Sequence, residues 1–165
     1  MRKASVTRDT AETRIALSLN LDGAGVFTGS SGVGFFDHML CLLAKHGKLD
    51  LELACQGDLE VDAHHTVEDI GLALGEALRR AAGDRRGIRR YGSCLLPMDE
   101  TLARVVLDLS GRPFLVYDAP GVAGMLGTMD AQLAEEFFRA LASSGGITLH
   151  AAVLYGKNLH HQVEA

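Results

Sequence analysis

The chain has 165 residues, 47% of them hydrophobic, enough for one well-buried core, with no shift in composition that would mark a second, unrelated domain. Its net charge of −5 is modest and its acids are interspersed with Lys and Arg, which argues against a nucleic-acid partner. No stretch is apolar enough to cross a membrane or serve as a signal peptide, and Cys41, Cys55 and Cys94 lack any C-x-x-C spacing, so a cytoplasmic protein with buried, reduced thiols is expected.

Alternating Ile15, Leu17, Leu19 and Leu21 predict a half-buried strand over 12–21, ended by the turn dipeptide Asp22-Gly23. The Gly-rich stretch 23–34 reads as a loop. It is not a dinucleotide fingerprint, because after Gly23 and Gly25 the next glycine is Gly29 and no helix opens there. Phe36, Met39, Leu40 and Leu43 recur at helical spacing over 35–46, and Leu49, Leu51 and Leu53 alternate as a strand. A second helix spans 64–82, with Val67, Ile70, Leu74, Leu78 and Ala81 on one stripe. The basic cluster Arg85, Arg86, Arg89 and Arg90 follows it, where cations suit a helix C-terminus. Strands are then expected near 91–97, 101–109 and 112–117, a Gly/Pro loop over 118–129, a helix near 130–143, a strand near 147–155 and a helix starting near 158–160.

The order of elements repeats, and so do residues. His-His-Thr-Val-Glu at 64–68 recurs as His-His-Gln-Val-Glu at 160–164, His38 in Phe36-Asp37-His38-Met39 pairs with Glu136 in Glu135-Glu136-Phe137-Phe138, and Leu21-Asp22-Gly23 lies opposite Leu109-Ser110-Gly111. Such a repeat implies one α+β domain of two similar halves, about 1–90 and 91–165, packed about a pseudo-twofold axis.

The repeated motif carries metal-binding chemistry. On a helix, His64 and Glu68 are four apart and share a face, so an imidazole and a carboxylate can reach one ion. His65 points about 100° away and belongs to another ion. His160, Glu164 and His161 repeat the arrangement, and His38 and Glu136 raise the donors to four for each of two ions. Mixed imidazole and carboxylate donors without thiolate suit Mn²⁺, Fe²⁺, Co²⁺ or Zn²⁺, and open positions beside four protein ligands favour Mn²⁺. Asp62 and Asp69 flank the first motif as candidate acceptors for ring N–H groups, with helix capping the alternative for Asp62. A zinc protease motif is excluded, since Asp69 stands where a second His is needed, and a di-iron helical bundle does not suit a strand-rich chain.

Taken together, Arg-x-Thr-x-Glu-Thr at 8–13, Gly-Phe-Phe-Asp-His-Met-Leu at 34–40, Asp-Ala-His-His-Thr-Val-Glu-Asp at 62–69, Pro-Met-Asp-Glu at 97–100, Asp-Leu-Ser-Gly-Arg-Pro at 108–113 and Gly-Lys-Asn-Leu-His-His-Gln-Val-Glu-Ala at 156–165 resemble the imidazoleglycerol-phosphate dehydratase family over essentially the whole chain. The resemblance implies an internally duplicated fold like the second domain of ribosomal protein S5, with two four-stranded sheets and paired helices packed between them. It implies a homo-oligomer, a 24-subunit shell with two Mn²⁺ per active site at subunit interfaces. We group His64, Glu68, Glu136 and His161 at one ion and His38, His65, His160 and Glu164 at the other.

The reaction the resemblance implies is loss of water from imidazole glycerol phosphate to give imidazole acetol phosphate in histidine biosynthesis, through a metal-stabilised imidazolate that expels the 3-hydroxyl via a diazafulvene-like intermediate. Glu164 is expected to take the ring proton and Glu12 the carbon-bound proton, with Asp99 and His65 also at the catalytic site. His46, Arg90 and Arg112 match positions that bind the phosphate. Relatives usually continue some thirty residues past the second motif with lysines that complete the phosphate pocket, so a missing C-terminal tail is expected. Many relatives have Gln where Leu42 stands and His where Glu136 stands. The alternatives are a hydrolase using metal-bound water and a metal-assembled shell or storage protein without activity.

Overall fold

The computed structural model describes residues 2–165. The first half runs β1 (Lys3–Asp9), β2 (Thr13–Asn20), β3 (Phe27–Ser30), α1 (Gly34–Gly47), β4 (Asp50–Gly57) and α2 (His64–Ala82). The second runs β5 (Tyr91–Met98), β6 (Thr101–Asp108), β7 (Phe114–Asp118), a small hairpin of β8 (Met125–Leu126) and β9 (Met129–Asp130), α3 (Leu133–Gly145), β10 (Thr148–Tyr155) and α4 (Leu159–Glu164). The two four-stranded sheets have the orders β1-β2-β4-β3 and β5-β6-β10-β7, the same connectivity twice. In each, the short third strand pairs in parallel with the fourth, β3 with β4 and β7 with β10, while the other pairs are antiparallel.

The layers follow from the side-chain patterns. Along β2, Thr13, Ile15, Leu17 and Leu19 are buried and Arg14 and Ala16 exposed, so one face of the first sheet is apolar. α2 covers that face with Val67, Ile70, Ala73, Leu74 and Ala77, all buried. α3 closes on the second sheet, where Ala142 joins Ile147 and Leu149. α2 and α3 then pack against each other, which makes a sheet–helix–helix–sheet α+β sandwich.

Their crossing is close because two helical glycines face it. A Cβ on Gly71 would lie 2.8 Å from the Phe137 carbonyl oxygen, and one on Gly75 would lie 2.5 Å from the carbonyl of Leu141. The duplication extends to the helix ends. α1 and α3 both end on a left-handed residue, Lys48 at φ 53° and Gly146 at φ 62°, whose N–H donates to Ala44 and Ala142 respectively.

Three sequence expectations are corrected. The chain begins its first sheet with β1, which the hydrophobic pattern does not predict, because only Val6 in it is buried and its charged residues hide the alternation. The stretch 23–34 is not all loop, since β3 forms there on the template of β4. The cysteines are not buried thiols: Cys41 and Cys94 are exposed and Cys55 is half-buried.

Candidate metal centre

Both histidine pairs sit at a helix start just beyond a sheet end. In the second half the chain leaves β10 through Gly156 to Asn158, whose side-chain oxygen accepts the N–H groups of His160 and His161 and starts α4. In the first half, Asp62 Oδ1 accepts the His64 N–H at 2.7 Å as α2 begins. Asp62 therefore shapes the helix entry.

Three donors converge within one protomer. His160 Nε2 lies 2.8 Å from Glu164 Oε2, and His38 Nε2, arriving from α1, lies 3.6 Å from the same oxygen. Each offers a ligand atom within 4.8 Å of the others, and this is the one such cluster among the described residues. The Phe35 ring packs edge-on against His160, with centroids 5.2 Å apart. Two imidazole nitrogens and a carboxylate oxygen, with no cysteine in the cluster, form a donor set that suits a divalent transition ion.

Under the internal repeat this trio maps onto Glu136, His64 and Glu68. There the structure brings only two donors together, His64 Nε2 and Glu68 Oε2 at 3.6 Å, while Glu136 lies 3.7 Å from the Arg139 guanidinium on its own helix. The remaining histidines are held by carboxylates that sequence reasoning did not single out. His65 Nδ1 is 2.8 Å from Asp58 Oδ2, and His161 Nδ1 is 2.8 Å from Glu100 Oε2.

These contacts raise the pKa of both imidazoles, through the hydrogen bond first and the carboxylate charge second. Glu100 is held well below the usual carboxylate range by the Asn158 N–H, then by His161 and the Lys157 N–H. Neither His65 nor His161 joins the trio. Asp69, expected as an acceptor for a ring N–H, is instead buried and takes the Thr13 hydroxyl at 2.5 Å and the Arg8 guanidinium at 2.8 Å.

Glu12 stands exposed in the β1–β2 turn, and its carboxylate has no hydrogen-bond or ion-pair partner among the described residues. Asp99 occupies the equivalent β5–β6 turn at φ 46°, with its carboxylate 3.8 Å from His161 Nε2. Arg90 and Arg112 meet at Asp108: Arg90 makes a two-point contact of 2.6 and 3.0 Å, and Arg112 lies 3.5 Å away. The Arg90 contact pushes the Asp108 carboxyl down and the guanidinium up. His46 lies on the last turn of α1 and, with Leu42 and Glu164, lines an apolar cavity of about 450 Å³. A ligand contacting Glu164 from that side meets Leu42, Leu43, Phe137 and Met98.

The family profile described as imidazoleglycerol-phosphate dehydratase matches residues 31–165. The chain is 58% identical over 164 residues to the imidazoleglycerol-phosphate dehydratase of Acetivibrio thermocellus, covering 99% of this chain and 84% of that protein. It is 58% identical to that of Heliobacterium modesticaldum, covering 100% and 85%. Among solved structures, the Staphylococcus aureus imidazoleglycerol-phosphate dehydratase superposes with a TM-score of 0.88 at 39% identity, over 99% of this chain and 90% of that one. The enzyme from Pyrococcus furiosus gives 0.80 at 34% identity, over 97% and 85%.

Proposed function

The chain belongs to the imidazoleglycerol-phosphate dehydratase family and is a hydro-lyase of histidine biosynthesis, and from that premise we propose that it dehydrates its substrate at metal sites shared between subunits of a cytoplasmic homo-oligomer. The observation that carries the reading is the convergence of His38, His160 and Glu164, three donors of which both histidines are exposed. His65, which no protomer brings to its own trio, is the donor a neighbouring subunit would add. By the repeat, His64, Glu68 and Glu136 with a neighbour's copy of His161 would hold the second ion, once Glu136 turns from Arg139. We assign Mn²⁺ to both sites from the mixed nitrogen and oxygen donors, and the 24-subunit shell as the assembly that shares them. A bound divalent ion supplies Lewis acidity that makes the substrate imidazole a stronger acid.

The protein side chains do the rest. Arg90, Arg112 and His46 bind the phosphate, and Asp108 holds the two arginines together so that their charge is gathered at one place. Glu164 accepts the ring N–H proton, and Asp99 and His65 border the reacting atoms. Glu12, exposed and without a partner among the described residues, takes the carbon-bound proton. The hydroxyl leaves from the adjacent carbon as water with the proton that Glu164 took from the ring, the proton on Glu12 passes back to the ring nitrogen, and the resulting enol tautomerises to the ketone. Incubating Mn²⁺-loaded protein with imidazole glycerol phosphate should yield imidazole acetol phosphate. A metal-loaded assembly that forms no ketone would leave the shell or storage reading standing.

A further inference from the structure

The two halves solve one problem with different residues. In each, the second histidine of the motif has Nδ1 2.8 Å from a carboxylate, Asp58 for His65 and Glu100 for His161. A carboxylate at Nδ1 keeps the proton there, so that Nε2 presents its lone pair outward. The two carboxylates are not repeat partners. Glu100 precedes buried Thr101 in the β5–β6 turn just as Glu12 precedes buried Thr13 in the β1–β2 turn.

Asp58 follows the last residue of β4, Gly57, and the corresponding position after Tyr155 of β10 is Gly156. A Cβ on Gly156 would lie 2.4 Å from the Oγ1 of buried Thr101, so a side chain there would require Thr101 to move. Glu100 therefore serves His161, and it is further committed to the Lys157 and Asn158 N–H groups at 3.0 and 2.7 Å. In the first half Asp58 takes the histidine, and Glu12 is left without a partner among the described residues.

We propose that Asp58 is a positioning residue that fixes His65 with Nε2 as its free donor atom and thereby releases Glu12, the counterpart of Glu100, for proton transfer. This rests on the reading of His65 as a metal ligand and of Glu12 as a base. The surroundings of Asp58 suit that role, since its side chain is 17% exposed, Oδ2 holds the imidazole, and buried Oδ1 has no partner among the described residues to pull it away.

The test uses the full chain with ¹⁵N-labelled histidine, metal-free for ring-nitrogen spectra and then titrated with Mn²⁺ by calorimetry. In the wild type, His65 should be the Nδ1–H tautomer. In Asp58→Ala it should move toward Nε2–H while the His161 signals stay put, and affinity at one class of site should fall by about 10–100-fold. Asp58→Asn, which keeps the shape and one acceptor oxygen, should fold as the wild type does and keep the Nδ1–H form and most of the affinity. An unchanged His65 tautomer in Asp58→Ala, or Mn²⁺ affinity within about two-fold of wild type, overturns the proposal, as does Asn behaving no better than Ala. A wild type that binds no Mn²⁺ would instead sink the metal reading, and the tautomer comparison would still decide the role of Asp58.

Discussion

Glu12 and Glu100 occupy the same turn position in the two halves, yet only one is tied down. Glu100 accepts two backbone N–H groups, the Thr101 hydroxyl and the His161 ring, all within 3.0 Å. A carboxylate so engaged is a poor proton acceptor, whereas a free one is available to a substrate. Glu12→Gln is accordingly expected to lower kcat by about 10²–10⁴-fold with Mn²⁺ content unchanged by elemental analysis. A variant retaining full turnover would remove Glu12 from the mechanism. Glu100→Gln should act differently, weakening metal retention because it loosens both His161 and the chain entering α4. At this scale the sequence displayed the donors but not their holders. Asp58 and Glu100 lie 7 and 61 residues from the rings they meet, and neither falls at the three- or four-residue spacing at which helix side chains meet.

The elements show where packing overrules local preference. Gly71 and Gly75 lie in the middle of α2, where glycine disfavours a helix by about 1 kcal/mol against alanine. They persist because the α2–α3 crossing leaves no room for a Cβ, which at Gly75 would fall 2.5 Å from the Leu141 carbonyl and 2.8 Å from the Gly145 nitrogen. Gly75→Val should destabilise the fold by about 1–3 kcal/mol in denaturant titration, whereas an intrinsic helix preference alone would stabilise it. β1 depends on a different device. Arg2 joins Asp22 through its backbone N–H and its guanidinium, pinning the strand to the turn after β2. The Arg2 hydrogen bonds lower the Asp22 pKa from 3.8 to about 2. Because the folded value is the lower one, the stabilisation is present above 3.8 and is lost as pH falls through about 2. Asp22→Asn should speed hydrogen exchange of β1 amides at neutral pH, and the difference from wild type should close toward pH 2. The apolar stripe of α2 predicts both of its ends, while β3, four residues in a Gly-rich stretch, takes its conformation from pairing with β4.

For the whole molecule, the consequence of the duplication is a protomer with one cluster of three donors and one pair. His38, His160 and Glu164 gather on one side, His64 and Glu68 form the start of the other, and His65 and His161 are held apart from both. If neighbours complete the sets, metal and assembly are linked. A chelator should shift the light-scattering mass to smaller species, with Mn²⁺ restoring it, and mixing inactive His65→Ala and His160→Ala chains should recover part of the activity after reassembly. Equal mass with and without metal would separate assembly from metal binding.

The sequence by itself determined the duplicated α+β plan, because the hydrophobic periods and the repeated His-His-x-x-Glu are local patterns carried by consecutive residues. Only the tertiary structure decided which donors meet in one chain, that Glu136 faces Arg139, and that Asp58 meets His65. Those outcomes depend on the directions of side chains brought together from separate elements. β4 and β10 start 98 residues apart, at Asp50 and Thr148, whereas the histidine pairs at 64 and 160 are 96 apart. That shorter connection in the second half is enough for different residues to hold the equivalent histidine in the two halves.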